Sequence, residues 1–333
     1  MRRNRLVFAL VGVAVFGVSL GAGATVGYDR ARGAGGTNGG EAAAIVKPVD
    51  ARAGAATPGA AADVPSTATG TPRAAGNPSP SPARTLPATW PLVAADSSGP
   101  AYGFAIRVPV LMYHRVAPAD LVGRSLPSLV VPPDLFAAQL EALVSAGWRS
   151  ITAADLAADL AAGVVPPPRT FVITLDDGRS DGYTQAFPIL QRLHLVATFY
   201  VITGRIGNDS SSLSASQLRL MAAAGMEIGS HTVGHIRLTT TSLSSAMQQL
   251  SGSAAFVAAV TGQRPTTFAY PFGTTDPFHQ DLVLQAGYAM AFTEAGGCWM
   301  SWPTRFMAPR LRVTPSTTPQ GLLHTLEACT GGA

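Results

Sequence analysis

From residue 108 onward, short apolar runs alternate with stretches that repeat at helical spacing, and this alternation leaves few possible architectures. Residues 108–113 form an apolar run of the length and kind of a buried strand. Phe136, Leu140, Leu143 and Val144 then follow at i, i+4, i+7 and i+8, the repeat of a helix that should end near Gly147. Residues 171–175 and 198–202 read as two more buried strands, separated by a helical stretch reaching about Leu193. Residues 218–224 are helical up to Gly225, and 242–260 are helical again. Shorter strands are expected at 227–228, 268–269 and 289–292. A strand–helix rhythm repeated this often predicts an α/β domain, a parallel sheet covered by helices. Periodicity alone leaves open whether the sheet is open or closed into a barrel.

That rhythm starts late in the chain. Residues 1–100 carry nine Lys/Arg against five Asp/Glu, whereas the remainder carries 14 of each, so the net charge of +4 arises entirely in the first part. Nucleic-acid binding needs basic side chains gathered on a folded face, and this distribution offers none. Arg2, Arg3 and Arg5 precede an uncharged apolar run over 6–26, which fits a membrane anchor with the rest of the chain outside. Ala22 and Ala24 equally suit a cleaved signal peptide. Either reading of residues 1–28 predicts export. Residues 29–100 are Ala, Gly, Pro, Ser and Thr with few large apolar side chains, which predicts a disordered linker. Such a coil of about 70 residues spans on the order of 50 Å. Residues 101–333 are then one domain with enough apolar content for a large core. In an exported chain, Cys298 and Cys329 are candidates for a disulfide, with two buried thiols as the alternative. The sequence sets no oligomeric state.

The chemistry sits where strands end. Asp176-Asp177-Gly178 follows the 171–175 run, and parallel-sheet proteins build sites at the carboxyl ends of their strands. Adjacent carboxylates repel, so something must offset them, and consecutive residues leaving a strand point in different directions, which lets one bind a cation while its neighbour faces the substrate. His231-Thr232-Val233-Gly234-His235 follows the strand at 227–230. Two imidazoles four residues apart, with one carboxylate, suit Zn2+ or a related divalent ion and leave coordination positions open. Met112-Tyr113-His114-Arg115-Val116 ends a third strand. Tyr270-Pro271-Phe272-Gly273 ends a fourth, where a backbone N–H could face a developing oxyanion.

Together, these motifs resemble the polysaccharide deacetylase family, also called the NodB homology domain or carbohydrate esterase family 4. Thr174–Gly178, His231–His235 and Ala269–Gly273 resemble its first, second and third motifs, over about residues 105–315. The resemblance implies a distorted (β/α) barrel with fewer than eight strands. It implies Asp176 as the general base, and Asp177, His231 and His235 as ligands of a divalent metal: Zn2+, or Co2+, Mn2+, Ni2+ or Fe2+. The arginine that usually opens the third motif is replaced by Ala269, and Arg264 lies too far upstream; its role passes to Arg310. The usual C-terminal Leu-x-His is missing, because His324 falls in a stretch that reads as a closing helix. The N-terminal motif around His114 instead resembles the circularly rearranged branch that includes poly-N-acetylglucosamine deacetylases, which implies His114 as the catalytic acid.

The implied reaction is removal of acetyl groups from an N-acetylated polysaccharide, with the Phe272 N–H helping to bind the oxyanion. A metal-dependent O-acetyl esterase is the nearest rival. Gly178-Arg179-Ser180-Asp181-Gly182 also matches the G-x-S-x-G elbow of serine hydrolases, a reading that leaves His231 and His235 idle. A non-catalytic carbohydrate-binding domain would be expected to lack at least one of Asp176, Asp177, His231 and His235, and all four are present.

Overall fold

A computed structural model describes residues 103–118 and 127–331; the expected signal or anchor segment and the linker lie outside them. Among the described residues, no helix is long and apolar enough to cross a membrane. The strands are β1 (Ala105–Arg107), β2 (Val110–Tyr113), β3 (Arg115–Val116), β4 (Val130–Val131), β5 (Arg149–Ile151), β6 (Thr170–Leu175), β7 (Thr198–Val201), β8 (Glu227–Ser230), β9 (Thr267–Ala269), β10 (Met290–Phe292), β11 (Trp299–Ser301) and β12 (Leu311–Arg312). The helices are α1 (Pro133–Ser145), α2 (Ala153–Ala162), α3 (Phe187–Arg192), α4 (Ala215–Ala223), α5 (Leu243–Thr261), α6 (Pro277–Gln285) and α7 (Pro319–Thr330).

Eight strands form one sheet in the order β10-β9-β8-β7-β6-β2-β12, with β5 beside the first half of β6. Every pairing within it is parallel. β6 is central because all six of its residues are buried, as expected of a strand covered on both faces. The sheet bends into a half-barrel whose outer strands meet through one segment. Ala308 bridges to Phe292 of β10, and four residues later Arg312 pairs with Met112 of β2.

Side chains alternate across each strand, so every second residue faces inward. Leu111, Ile173, Leu175, Phe199 and Ile228 pack outward in one apolar cluster with Phe136, Leu140, Leu190 and Leu218 of the covering helices. Val110, Val172, Tyr200 and Ala269 point the other way and pack with Ile106 and Met300 of the antiparallel pair β1–β11. Gly229 lacks a side chain where one would collide: a Cβ there would lie 2.4 Å from the Tyr200 ring. At the opening where the strands begin, the Glu227 carboxylate accepts the hydroxyls of Thr198 (2.7 Å) and Thr267 (2.5 Å) and the Ala154 N–H (2.8 Å). Burial raises its pKa, and these donors partly offset the effect.

The helices begin and end where their sequences signal. α2 and α4 open on reciprocal capping boxes, Thr152 with Asp155 and Ser214 with Gln217. α5 starts after the Ser242 cap and stops at Gly262, which is left-handed. The expected helical stretch up to Leu193 is a π-helical turn, Gly182–Ala186, followed by α3. β1, β11, β5 and β12 were not anticipated, nor were α2 and α6. Cys298 and Cys329 form a disulfide, with Cα atoms 5.9 Å apart, that ties the loop after β10 to α7. Closing a loop of that length stabilises the fold by about 4 kcal/mol on chain-entropy grounds.

Candidate metal and catalytic site

The inward alternation positions the site. Val110 and Met112 face inward, and the next residue on that face is His114. Val172 and Thr174 lead in the same way to Asp176, and Glu227 and Gly229 lead to His231. Three strands therefore deliver three polar side chains to one rim. Asp177 would point away if the strand simply continued. Its φ of 77° and the 65° of Gly178 turn the chain back, so Asp177 also reaches the rim. A Cβ on Gly178 would approach Val201 at 3.1 Å, so the turn also needs a small residue.

Asp177, His231 and His235 each offer a ligand atom, and these atoms all lie within 4.8 Å of one another. Asp177 Oδ1 is 3.7 Å from His231 Nε2 and 3.4 Å from His235 Nε2. Two donors on a tetrahedral ion at about 2.1 Å stand roughly 3.4 Å apart, so the spacing fits one small divalent cation. The imidazole tautomer fits too. His231 Nδ1 donates to the Ala269 carbonyl at 2.7 Å, which leaves the Nε2 lone pair for a ligand. The His231–His235 loop is held in an unusual backbone: Thr232 has φ 67° and His235 φ 55°. The Val233 and Gly234 N–H groups donate to Gln249 Oε1, and His235 N–H donates to Thr232 Oγ1. Burial, then the neighbouring His231, push the His235 pKa down to about 4, so its imidazole is neutral and able to coordinate.

Asp176 faces a different partner. The Arg310 guanidinium grips both its oxygens, Nη1 to Oδ1 and Nη2 to Oδ2, each at 2.8 Å. Arg310 is 1 % exposed and is itself fixed, donating from Nε to the Thr293 carbonyl and from Nη1 to Thr174 Oγ1. Burial alone would raise the Asp176 pKa. The charges of Arg310, His231 and His114 and the Arg310 hydrogen bonds together outweigh it and hold the carboxyl well below the usual range. His114 lies within electrostatic reach of Asp176, Asp177, Arg310 and His231. Burial lowers its pKa, while the two carboxylates oppose that shift.

Phe272 is left-handed (φ 61°, ψ 14°), and its ring packs 4.7 Å from that of His235. On the ring's other contact, Arg237 lies 4.6 Å from the centroid. Arg264 bonds the Ala286 carbonyl instead of the site, and His324 is exposed on α7. Ser180 lies past the Gly178 turn. Its N–H donates to the Ser211 carbonyl at 3.0 Å. Sequence reasoning missed Gln249, Thr174, the Ala269 carbonyl and the Arg115–Asp181 pair. Only Asp181 carried a local signal, lying five residues after Asp176.

Residues 163–291 match the family model for polysaccharide deacetylase. The segment takes in Asp176, Asp177, His231 and His235 and leaves out His114 and Arg310. YxkH of Bacillus subtilis, provisionally named a polysaccharide deacetylase, is 27 % identical over 209 residues, covering 63 % of this chain and 72 % of its own. The poly-beta-1,6-N-acetyl-D-glucosamine N-deacetylase of Staphylococcus aureus (strain N315) is 23 % identical over 205 residues, 55 % of this chain and 70 % of its own. The solved Streptococcus pyogenes deacetylase PplD, in complex with acetate, superposes with a TM-score of 0.62 at 27 % identity, covering 67 % of this chain and 99 % of that one. The family match spans both loops that gather the Asp–His–His set, so residues 163–291 resemble the polysaccharide deacetylase domain, and the chain is similar in fold to a solved deacetylase.

Proposed function

We propose that this chain is a polysaccharide deacetylase that hydrolyses N-acetyl groups on cell-wall or extracellular polysaccharide built of N-acetylglucosamine-type units, using a divalent metal, Zn2+ in our reading. The observation that carries the reading is the side-by-side arrangement of a three-ligand Asp–His–His set and a carboxylate held ionised by a buried arginine. Asp177, His231 and His235 would hold the ion. Such an ion, when bound, lowers the pKa of water and polarises an acetyl carbonyl.

The remaining roles fall to this chain's own groups. Asp176 takes the proton of the attacking water, and Arg310 keeps its carboxylate ionised and aimed. The Phe272 N–H stabilises the oxyanion. His114, in its imidazolium form, donates a proton to the leaving amine. An amide requires this donor because an amine anion is a very poor leaving group. Export through residues 1–28, a spacer over 29–100 and a catalytic domain over 101–333 complete the proposal, placing the activity outside the cytoplasm. The named substrate of the Staphylococcus aureus relative supports the N-acetylglucosamine assignment.

The test compares acetate release from an N-acetylglucosamine oligosaccharide with cleavage of an activated phenyl acetate, in wild type and in His114→Ala. Wild type should cleave both. His114→Ala should lose about two to four powers of ten on the amide and keep most ester cleavage, since a phenolate departs unaided. No acetate from any N-acetylated oligosaccharide, alongside release from O-acetylated ones, would overturn the substrate assignment. Equal losses on both substrates would overturn the role of His114.

A further inference from the structure

One buried carboxylate beside the site has no part in this mechanism. Asp181 is 7 % exposed and lies four residues beyond Asp177. It accepts two hydrogen bonds and makes one further ion-pair contact, all with the two residues that follow His114. Arg115 donates from Nε at 2.8 Å, its Nη2 lies 2.6 Å from the same oxygen, and the Val116 N–H donates at 3.2 Å to the other. On the near side of His114, the Tyr113 carbonyl accepts the Asp176 N–H at 3.0 Å. His114 is thus bracketed by bonds to a single short segment, 176–181, which also carries Asp176 and Asp177. β3 offers little restraint of its own, being two residues long and paired, among the described residues, with β4 alone.

We infer that Asp181 is a positioning residue: its carboxylate clamps the Arg115–Val116 backbone and so fixes His114 relative to Asp176 and the Asp–His–His set. The inference rests on the reading of His114 as the acid. The geometry explains why the anchor belongs in the Asp-Asp-Gly loop. A base on one strand and an acid on another keep their separation only if the two loops are tied together, and Asp181 ties them directly. The π-helical turn that begins at Gly182 follows immediately and packs on β3, so the anchor sits on a fixed base. A misplacement of about 1 Å at a reacting group can cost on the order of 10²-fold in rate.

The experiment uses the full chain and the same amide and ester pair. Asp181→Ala should lower N-acetyl cleavage by about 30- to 100-fold. Its loss on the ester should be much smaller, because the ester does not need His114. Asp181→Asn, which can still accept the Val116 N–H, should fall between the two. In a His114→Ala background, Asp181→Ala should add less than about threefold, since positioning a missing acid has no effect. If Asp181→Ala does not fold, Arg115→Met removes two of the three contacts and carries the same comparison. An unchanged amide-to-ester ratio in these variants, with that ratio collapsed in His114→Ala, would make Asp181 purely structural and overturn the clamp. Fully multiplicative losses in the double variant would do the same. If His114→Ala itself left the ratio intact, the acid assignment would fail first, and the clamp with it.

Discussion

Asp176→Asn should reduce hydrolysis of both the amide and the activated ester by about 10²- to 10⁴-fold, with metal content unchanged. Both reactions need the attacking water deprotonated, and an amide side chain cannot accept that proton. Metal content should hold because the proposed ligands are Asp177, His231 and His235. The substitution has a second consequence. Asn keeps one acceptor for the Arg310 guanidinium but removes its counter-charge, so some stability is lost as well. Rates therefore need to be compared at equal folded fraction, checked by near-UV circular dichroism. Loss of ester cleavage separates this variant from His114→Ala, which should retain it. An Asp176→Asn variant that cleaved the ester at near wild-type rate would remove Asp176 as the base.

Arg310→Met should destabilise the domain by about 3–5 kcal/mol at neutral pH, because it strands the Asp176 carboxylate in a buried site. For a domain of this size that corresponds to roughly 10 °C in Tm. Met matches the aliphatic stem of Arg310, so the loss is mainly electrostatic and hydrogen-bonding rather than a cavity. The pH dependence has a definite sign. In wild type the Asp176 pKa lies below its unfolded value, so the pair stabilises above the ordinary carboxylate range and loses that contribution as pH falls toward the folded pKa. Without Arg310, burial is opposed only by the more modest influence of His231 and His114, and the Asp176 pKa rises. The destabilisation of Arg310→Met should therefore shrink in acid, and the acid limb of its kcat/KM profile should move to higher pH by more than one unit. The double variant Arg310→Met/Asp176→Asn, with both charges gone, should be more stable than Arg310→Met alone. Denaturant melts of the three variants at two pH values check this. A double variant less stable than either single would contradict the account.

Much of this architecture was legible because burial here is expressed in local pattern. β6 is a continuous apolar run, α5 is bounded by Ser242 and Gly262, and each motif falls just past a strand. The parallel strands also fix which face each motif residue takes, so His114, Asp176 and His231 could be expected on one rim. The unread elements share a physical cause. β1 and β11 have three residues each and one buried residue apiece, too few for alternation to register. β12 has two residues, and its role lies wholly in bridging distant strands. α6 opens with Pro277 and Phe278, the latter 72 % exposed, which blurs its apolar face. Contacts between loops were the other blind spot. Gln249 lies on α5, far from any motif, yet its side-chain oxygen braces the His231–His235 loop. Arg115 and Asp181 look like ordinary surface charges until the fold joins their loops.

The central claim is a metal-dependent site built from Asp177, His231 and His235, and elemental analysis paired with acetate release tests it most directly. The purified chain should carry about one divalent ion and release acetate from an N-acetylglucosamine oligosaccharide. Chelation should abolish that release, and Zn2+ or a related ion should restore it. His231→Ala should lose both the ion and the activity. Stoichiometric metal retained by Asp177→Ala/His231→Ala, or full acetate release by fully metal-depleted wild type, would contradict it.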